Sequence, residues 1–146
     1  QDGAETAAVL DELHKSFATL TQEEQKYANI FLHDVQNGDV IVDEGKTLRN
    51  YITEYMTSAK NDQIHRFATA IGVDETILRS FMQSKITEAN INEFGKFDTL
   101  KATVDTEKAK TFLEMIEGKP IKKFQINMKI DQILRRFILE GGFDIT

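Results

Sequence analysis

The sequence predicts an all-α chain, and three observations carry that reading. Across 146 residues there are only 8 glycines and 1 proline, far fewer chain breakers than the many turns of a sandwich or barrel consume. Apolar residues recur at intervals of three and four, the period of a helix that buries one face. Side chains able to accept an orphan amide proton (Thr21, Asn61, Asp74, Asp105) stand just ahead of the apolar stripes, and glycines stand just behind them. The expected architecture is a compact irregular bundle of about eight helices, one domain over residues 1–146, with no significant sheet. A chain this long buries roughly 68–70 % of the surface its unfolded form exposes, enough for its own core.

The elements follow in order. Val9, Leu10, Leu13 and Phe17 form the first stripe, which ends near Leu20. Thr21 with Glu24 reads as a capping box, hydroxyl to amide and carboxylate back to amide, ahead of Tyr27, Ile30, Phe31 and Val35. Asn37-Gly38 closes that helix. Val40-Ile41-Val42 is β-branched but too short and partnerless for a sheet, so it reads as an extended connector. Leu48, Tyr51, Ile52, Tyr55 and Met56 mark a third helix. Asn61 is expected to cap a fourth, carrying Ile64, Phe67, Ala68 and Ile71 and stopped by Gly72. Asp74 caps a fifth with Ile77, Leu78, Phe81 and Met82; a short sixth runs from Thr87 to Phe94 and ends at Gly95. Asp105 caps a seventh with Ala109, Phe112, Leu113 and Ile116, stopped by Gly118. Pro120 opens the last and longest helix, to about Glu140, because proline at the first turn gives up no needed bond.

Composition narrows the function classes. With 40 % hydrophobic and 29 % charged residues the chain is not a disordered tail, and no apolar run approaches the length of a membrane span. Cysteine is absent, which removes disulfides, a thiolate nucleophile and sulfur-bound zinc, and is compatible with a reducing compartment. The opening Gln1-Asp2-Gly3 has neither an initiator methionine nor a secretion signal, so the chain reads as cut from something longer. Charge is uneven: residues 1–45 carry two cations against ten acids, a net −8, whereas the rest of the chain is +2. An acidic leading hairpin, residues 1–44, thus precedes a slightly basic body, and the overall −6 does not exclude a nucleic-acid partner.

Several fragments of motifs do not complete. Gly45-Lys46-Thr47 matches the end of a phosphate-binding loop, but Val40 occupies the place of its first glycine, so the segment reads as a helix start. His33 to Glu44 has the outline of a calcium loop, with Asn37, Gly38, Asp39 and Glu44 in place. His33 and Val35 replace two required oxygen donors. His14, His33 and His65 fall in no ligand spacing. Glu44 with Lys46 matches only the last piece of a magnesium nuclease motif. Ala68, Gly72, Val73, Leu78 and Phe81 fit a helix-turn-helix outline, yet the second helix leads with Asp74 and Glu75, which would face phosphate; a plain helical hairpin is expected. No catalytic residue and no metal ligand is assigned.

The strongest electrostatic feature is the terminal helix. Residues 119–136 carry Lys119, Lys122, Lys123, Lys129, Arg135 and Arg136 against Asp131 alone, a net +5. Lys122, Gln125, Lys129, Gln132 and Arg136 recur at helical spacing beside the apolar Ile126, Ile130, Ile133 and Phe137. A cation every two turns suits phosphate contacts and carries no base code; the plainer alternative is the solvated flank of a core helix.

Three segments read together narrow the field further. They are Gly45-Lys46-Thr47-Leu48-Arg49-Asn50-Tyr51-Ile52, then Asn90-Ile91-Asn92-Glu93-Phe94-Gly95-Lys96-Phe97-Asp98, then Lys129 to Leu139 followed by Gly141-Gly142-Phe143-Asp144-Ile145. Over about residues 45–146 the chain resembles the C-terminal region of the motor (R) subunit of type I restriction-modification enzymes. The resemblance implies a non-catalytic module of a bacterial cytoplasmic translocase and endonuclease, whose ATP and magnesium sites lie in other parts of that subunit. It implies as partners the modification and specificity subunits of the methyltransferase core, the rest of the motor subunit and double-stranded DNA. The DNA-binding candidates, read from the residues themselves, are Lys122, Lys123, Lys129, Arg135 and Arg136, with weaker roles for Lys46 and Arg49. A purely protein-docking module without DNA contact is the rival expectation.

Overall fold

The computed structural model describes residues 3–43, 45–93 and 95–143; Gln1, Asp2, Glu44, Phe94, Asp144, Ile145 and Thr146, together with the side chains of Ala4, Glu5, Thr6, Val9 and Glu93, lie outside the described residues. Among the described residues there are seven α-helices and no strand: α1 Gly3–Ser16, α2 Gln22–Gln36, α3 Leu48–Ile71, α4 Glu75–Gln83, α5 Lys96–Ala102, α6 Thr106–Glu117 and α7 Ile126–Leu139. No helix among them is long and apolar enough to cross a membrane. The chain divides into two compact units, Gln1–Ala59 and Lys60–Thr146, with the boundary falling inside α3.

The first unit is organised by the cap between α1 and α2. Thr21 Oγ1 accepts from the Glu24 amide at 3.1 Å and the Glu24 carboxylate accepts from the Thr21 amide at 3.0 Å, as the capping box requires. Leu13, Leu20, Ala28, Phe31, Val42, Leu48, Tyr51 and Ile52 make the core, in which Phe31 stacks on Tyr51 at 4.5 Å between centroids. The connector behaves as expected: it is not a strand, and Val42 is buried while Ile41 is 68 % exposed. The Asp43 amide donates to the Tyr51 hydroxyl at 2.7 Å, which ties the connector to α3. Nearby, the Tyr55 hydroxyl donates to Asp34 at 2.9 Å; burial and that carboxylate push its pKa up to about 12.

The second unit is built on α7, whose Ile126, Ile130, Ile133, Leu134, Phe137 and Ile138 are all buried. Phe137 lies flat on Phe67 of α3 with centroids 4.0 Å apart, and Phe112 and Phe143 meet Phe67 edge-on. Ala68, Val73, Leu78 and Phe81 are buried in the same core, so the helix-turn-helix outline resolves into a packed α3–α4 hairpin. The first acid of α4 is occupied: Glu75 takes His65 at 2.7 Å and Arg79 at 2.9 Å, and these two donors hold its carboxyl below the ordinary range.

Three sequence expectations need correction. Asn61 caps nothing, because α3 runs unbroken through it for 24 residues. No glycine or proline lies between Leu48 and Ile71, so breaking the helix there would forfeit backbone bonds for no gain. The two apolar stripes that suggested two helices are out of phase by roughly 140° on an ideal helix. Asn61 instead accepts from Arg79 through both its side chain, at 3.0 Å, and its carbonyl, at 3.1 Å.

Second, the expected helix from Thr87 to Phe94 is not an α-helix over Thr87 to Glu93, and its last residue, Phe94, lies outside the described residues. The stretch is a turn followed by a 3-10 turn, Ile91–Glu93, because the Asn90 side chain accepts from the Thr87 amide and donates to the Lys85 carbonyl, bonds that compete with a helical ladder. The helix in this region is α5, which begins after Gly95 and buries only Phe97 and Leu100, too few apolar residues to register as a stripe. Third, Pro120 does not open α7. Lys122 is extended, Ile121 is buried with its amide donating to Glu114 at 2.9 Å, and a 3-10 turn over Lys123–Gln125 leads into a 14-residue helix. The longest helix is therefore α3.

Two contacts set the joints of the second unit. Gly72, at φ +71°, ends α3 in the left-handed region, and a Cβ there would sit 2.5 Å from the Cβ of Asp105, the residue that caps α6. Asp105 in turn donates its amide to the Ile71 carbonyl at 2.9 Å. The second joint is Asp131 on α7, which accepts from Lys101 of α5 at 2.9 Å and from Arg135, while the Arg135 guanidinium covers the Phe97 ring at 4.6 Å. Burial pushes the Asp131 carboxyl up, but Arg135 and Lys101 overcome it, so its pKa lies below the ordinary 3.8.

Gly72→Ala should cost about 3 kcal/mol, from left-handed strain plus overpacking. Gly118→Ala has the same sign of φ but open space around the new methyl, and should cost about 1 kcal/mol; urea denaturation of both variants checks the difference. Because the folded pKa of Asp131 is depressed, its contribution is full above 3.8 and is lost as pH falls through the folded value. Asp131→Asn should therefore lower stability by about 2 kcal/mol at neutral pH, and the gap between the two chains should narrow below that value. A gap that stays constant into the acid range would refute the assignment.

Candidate functional site

The cationic rim around α7 is the candidate that the residues nominate, and its geometry differs from a free row of charges. Lys122 and Gln125 precede the helix proper, so only Lys129, Gln132 and Arg136 of the proposed stripe lie on α7. Lys129 is locked to Glu117 of α6 at 2.7 Å, with side chains only 22 % and 26 % exposed. Arg135 belongs to the Asp131 joint and also donates to Asn92. Arg136 pairs with Glu140 at 3.4 Å and stands 5.1 Å over the Phe143 ring.

The two cations of the first unit are likewise engaged. Lys46 lies 3.1 Å from Glu54, 4.0 Å from Asp43 and 5.1 Å over the Tyr51 ring; the Glu54 carboxylate leads in raising its pKa. Arg49 pairs with Glu24 at 3.0 Å, and Glu24 is held below the ordinary carboxyl range first by the Thr21 amide and then by Arg49. Of the seven nominated cations, Lys122 and Lys123 alone are exposed and, among the described residues, joined to no carboxylate. An ammonium already beside a carboxylate gains less from a phosphate, because the incoming anion meets the resident one.

The incomplete motifs stay incomplete in three dimensions. Among the described residues no group of three or more histidines, aspartates or glutamates could hold a metal ion. The twelfth position of the calcium outline and the acid of the nuclease fragment are both Glu44, outside the described residues. Lys46, the lysine of the phosphate-loop fragment, points to Glu54. His14 bonds the Leu10 carbonyl, His65 bonds Glu75 and His33 lies 3.8 Å from Asp34, each a local arrangement. An open depression of about 390 Å³ lined by Ala70, Glu107, Lys108, Thr111, Phe112 and Met115 holds no constellation for acid–base or nucleophilic chemistry.

Sequence reasoning missed the exposed apolar residues. Phe124 is 79 % exposed, Met115 65 %, Met128 51 % and Ile116 48 %, all on α6, α7 or the loop between them. A signal was available for Met128, which falls out of phase with Ile126, Ile130 and Ile133, so the helix that buries the isoleucines turns it toward solvent; Phe124 lies in the 3-10 turn ahead of that helix, and its exposure is decided by the turn. Ile116, by contrast, was placed on the buried stripe of α6, and its exposure is decided by the packing of the helix end.

Comparison with known proteins gives one match. No curated protein and no solved structure matches the chain. The family model described as "Type I restriction and modification enzyme - subunit R C terminal" matches residues 1–137. The match takes in residues 1–44, outside the span of about 45–146 over which the sequence segments carry the resemblance, and stops short of Gly141-Gly142-Phe143. The chain therefore belongs to the C-terminal family of the type I restriction and modification enzyme R subunit.

Proposed function

We propose that this region is a non-catalytic module that docks the R subunit onto the modification and specificity subunits of the methyltransferase core. The observation that carries this reading is the inversion of the surface from what the charge pattern suggests: five of the seven nominated cations are held by carboxylates, whereas Phe124, Met115 and Met128 stand open to solvent. Exposed large apolar and aromatic groups are the chemistry of a protein interface core. In this reading ATP, magnesium and the cutting of double-stranded DNA belong to other parts of the R subunit, in the bacterial cytoplasm.

A second reading, sequence-independent DNA binding, is supported by Lys122 and Lys123, which are exposed and without an ion pair among the described residues. It no longer extends easily to Lys129, Arg135, Arg136, Lys46 and Arg49, whose pairs a phosphate would have to break.

The test of docking is co-purification of the R subunit, with and without residues 45–146, with the methyltransferase. Loss of assembly on deletion is expected, and assembly that persists would refute docking. For DNA, Lys122→Glu/Lys123→Glu should flatten the slope of log affinity against log salt by roughly 0.9 for each phosphate left unneutralised. A filter-binding titration with unchanged affinity and slope would remove the DNA reading.

A further inference from the structure

The segment between α6 and α7 is tied down at both ends. Glu114 accepts from the Ile121 amide at 2.9 Å, and Lys129 bridges to Glu117 at 2.7 Å. Ile121 and Ile126 are buried at 5 % and 6 % exposure, and the Gln125 amide closes a turn on the Lys122 carbonyl at 2.9 Å. With those two isoleucines inward, the residues between them cannot fold down. Phe124 is therefore displayed at 79 % exposure by a fixed backbone, with Met128 one turn later.

The charge around it is one-sided. Lys119, Lys122 and Lys123 are exposed and have no carboxylate partner among the described residues, while the two acids that end α6, Glu114 and Glu117, are already occupied. We infer that this loop is an anchor site for an acidic protein surface: Phe124, with Met128, enters an apolar pocket, and the three lysines meet a rim of carboxylates around it.

An aromatic carried on a backbone already tied down by these bonds is the kind of residue that dominates an interface, because on binding it has side-chain freedom to lose but little backbone freedom. The adjoining methionine favours a protein pocket over a nucleic acid, since stacking on a base uses the ring alone. Three ammonium groups within one loop also offer only a short phosphate track, because the cations farther along α7 are paired.

The anchor presupposes the docking reading and identifies the surface that does the docking. The test uses the whole R subunit titrated against the methyltransferase, at low and high salt, in parallel with a short random-sequence duplex. Phe124→Ser, at a position too exposed to affect folding, should weaken assembly at least about tenfold at both salts, and Phe124→Leu should retain most of it. Lys119→Glu/Lys122→Glu/Lys123→Glu should weaken assembly strongly at low salt and less at high salt. If deletion of residues 45–146 abolishes assembly while Phe124→Ser leaves it intact, docking stands and this anchor is overturned. If deletion leaves assembly intact, both fall. If the variants weaken duplex binding and not assembly, the loop is a nucleic-acid site and the anchor is overturned.

Discussion

The second unit depends on one contact, the flat stack of Phe67 on Phe137 at 4.0 Å. Phe112 and Phe143 close on that pair edge-on, the arrangement that ring quadrupoles prefer around a stacked pair. Fully burying a phenylalanine is worth roughly 1.5–3 kcal/mol, and both stacked rings are completely buried. The stack fixes the rotation of α7 about its own axis. Once Phe137, Ile133, Ile130 and Ile126 face inward, the positions of Lys129, Arg135, Arg136 and Met128 around the helix follow from geometry.

That rotation explains why the rim is not a free polycation. Lys129 is brought within reach of Glu117, and Arg135 and Lys101 converge on Asp131 from α7 and α5. Lys129 thereby meets an acid of another helix, and Asp131 a cation thirty residues away in sequence. Such pairs are individually modest when exposed. Their consequence here is electrostatic: the +5 counted along residues 119–136 shrinks to a local excess in the α6–α7 loop, at Lys119, Lys122 and Lys123.

The first unit follows a different logic, in which polar groups tie a short core together. Its capping box, the Tyr51 hydroxyl that receives the Asp43 amide, and the Tyr55–Asp34 bond each use a side chain to finish backbone or burial requirements. Its surplus of acid is thus partly structural, since Glu24 and Asp34 already have partners, and only the remainder is available to shape encounters with other molecules.

By itself the sequence determined what is local. The helical period, the caps at Thr21, Asp74 and Asp105, the left-handed stops at Gly38, Gly72 and Gly118, and the family-specific segments are all properties of a few neighbouring residues, and each can be read without knowing what packs on what. The tertiary structure alone decided what depends on distant partners. Asn61 reads as a cap until Arg79 arrives to use it, Pro120 reads as a helix start until Glu114 captures the Ile121 amide, and Lys129 reads as a free cation until Glu117 stands beside it. The physical reason is the same in each case: a polar group has one set of bonds to give, and only the folded chain determines which partner is close enough to take them.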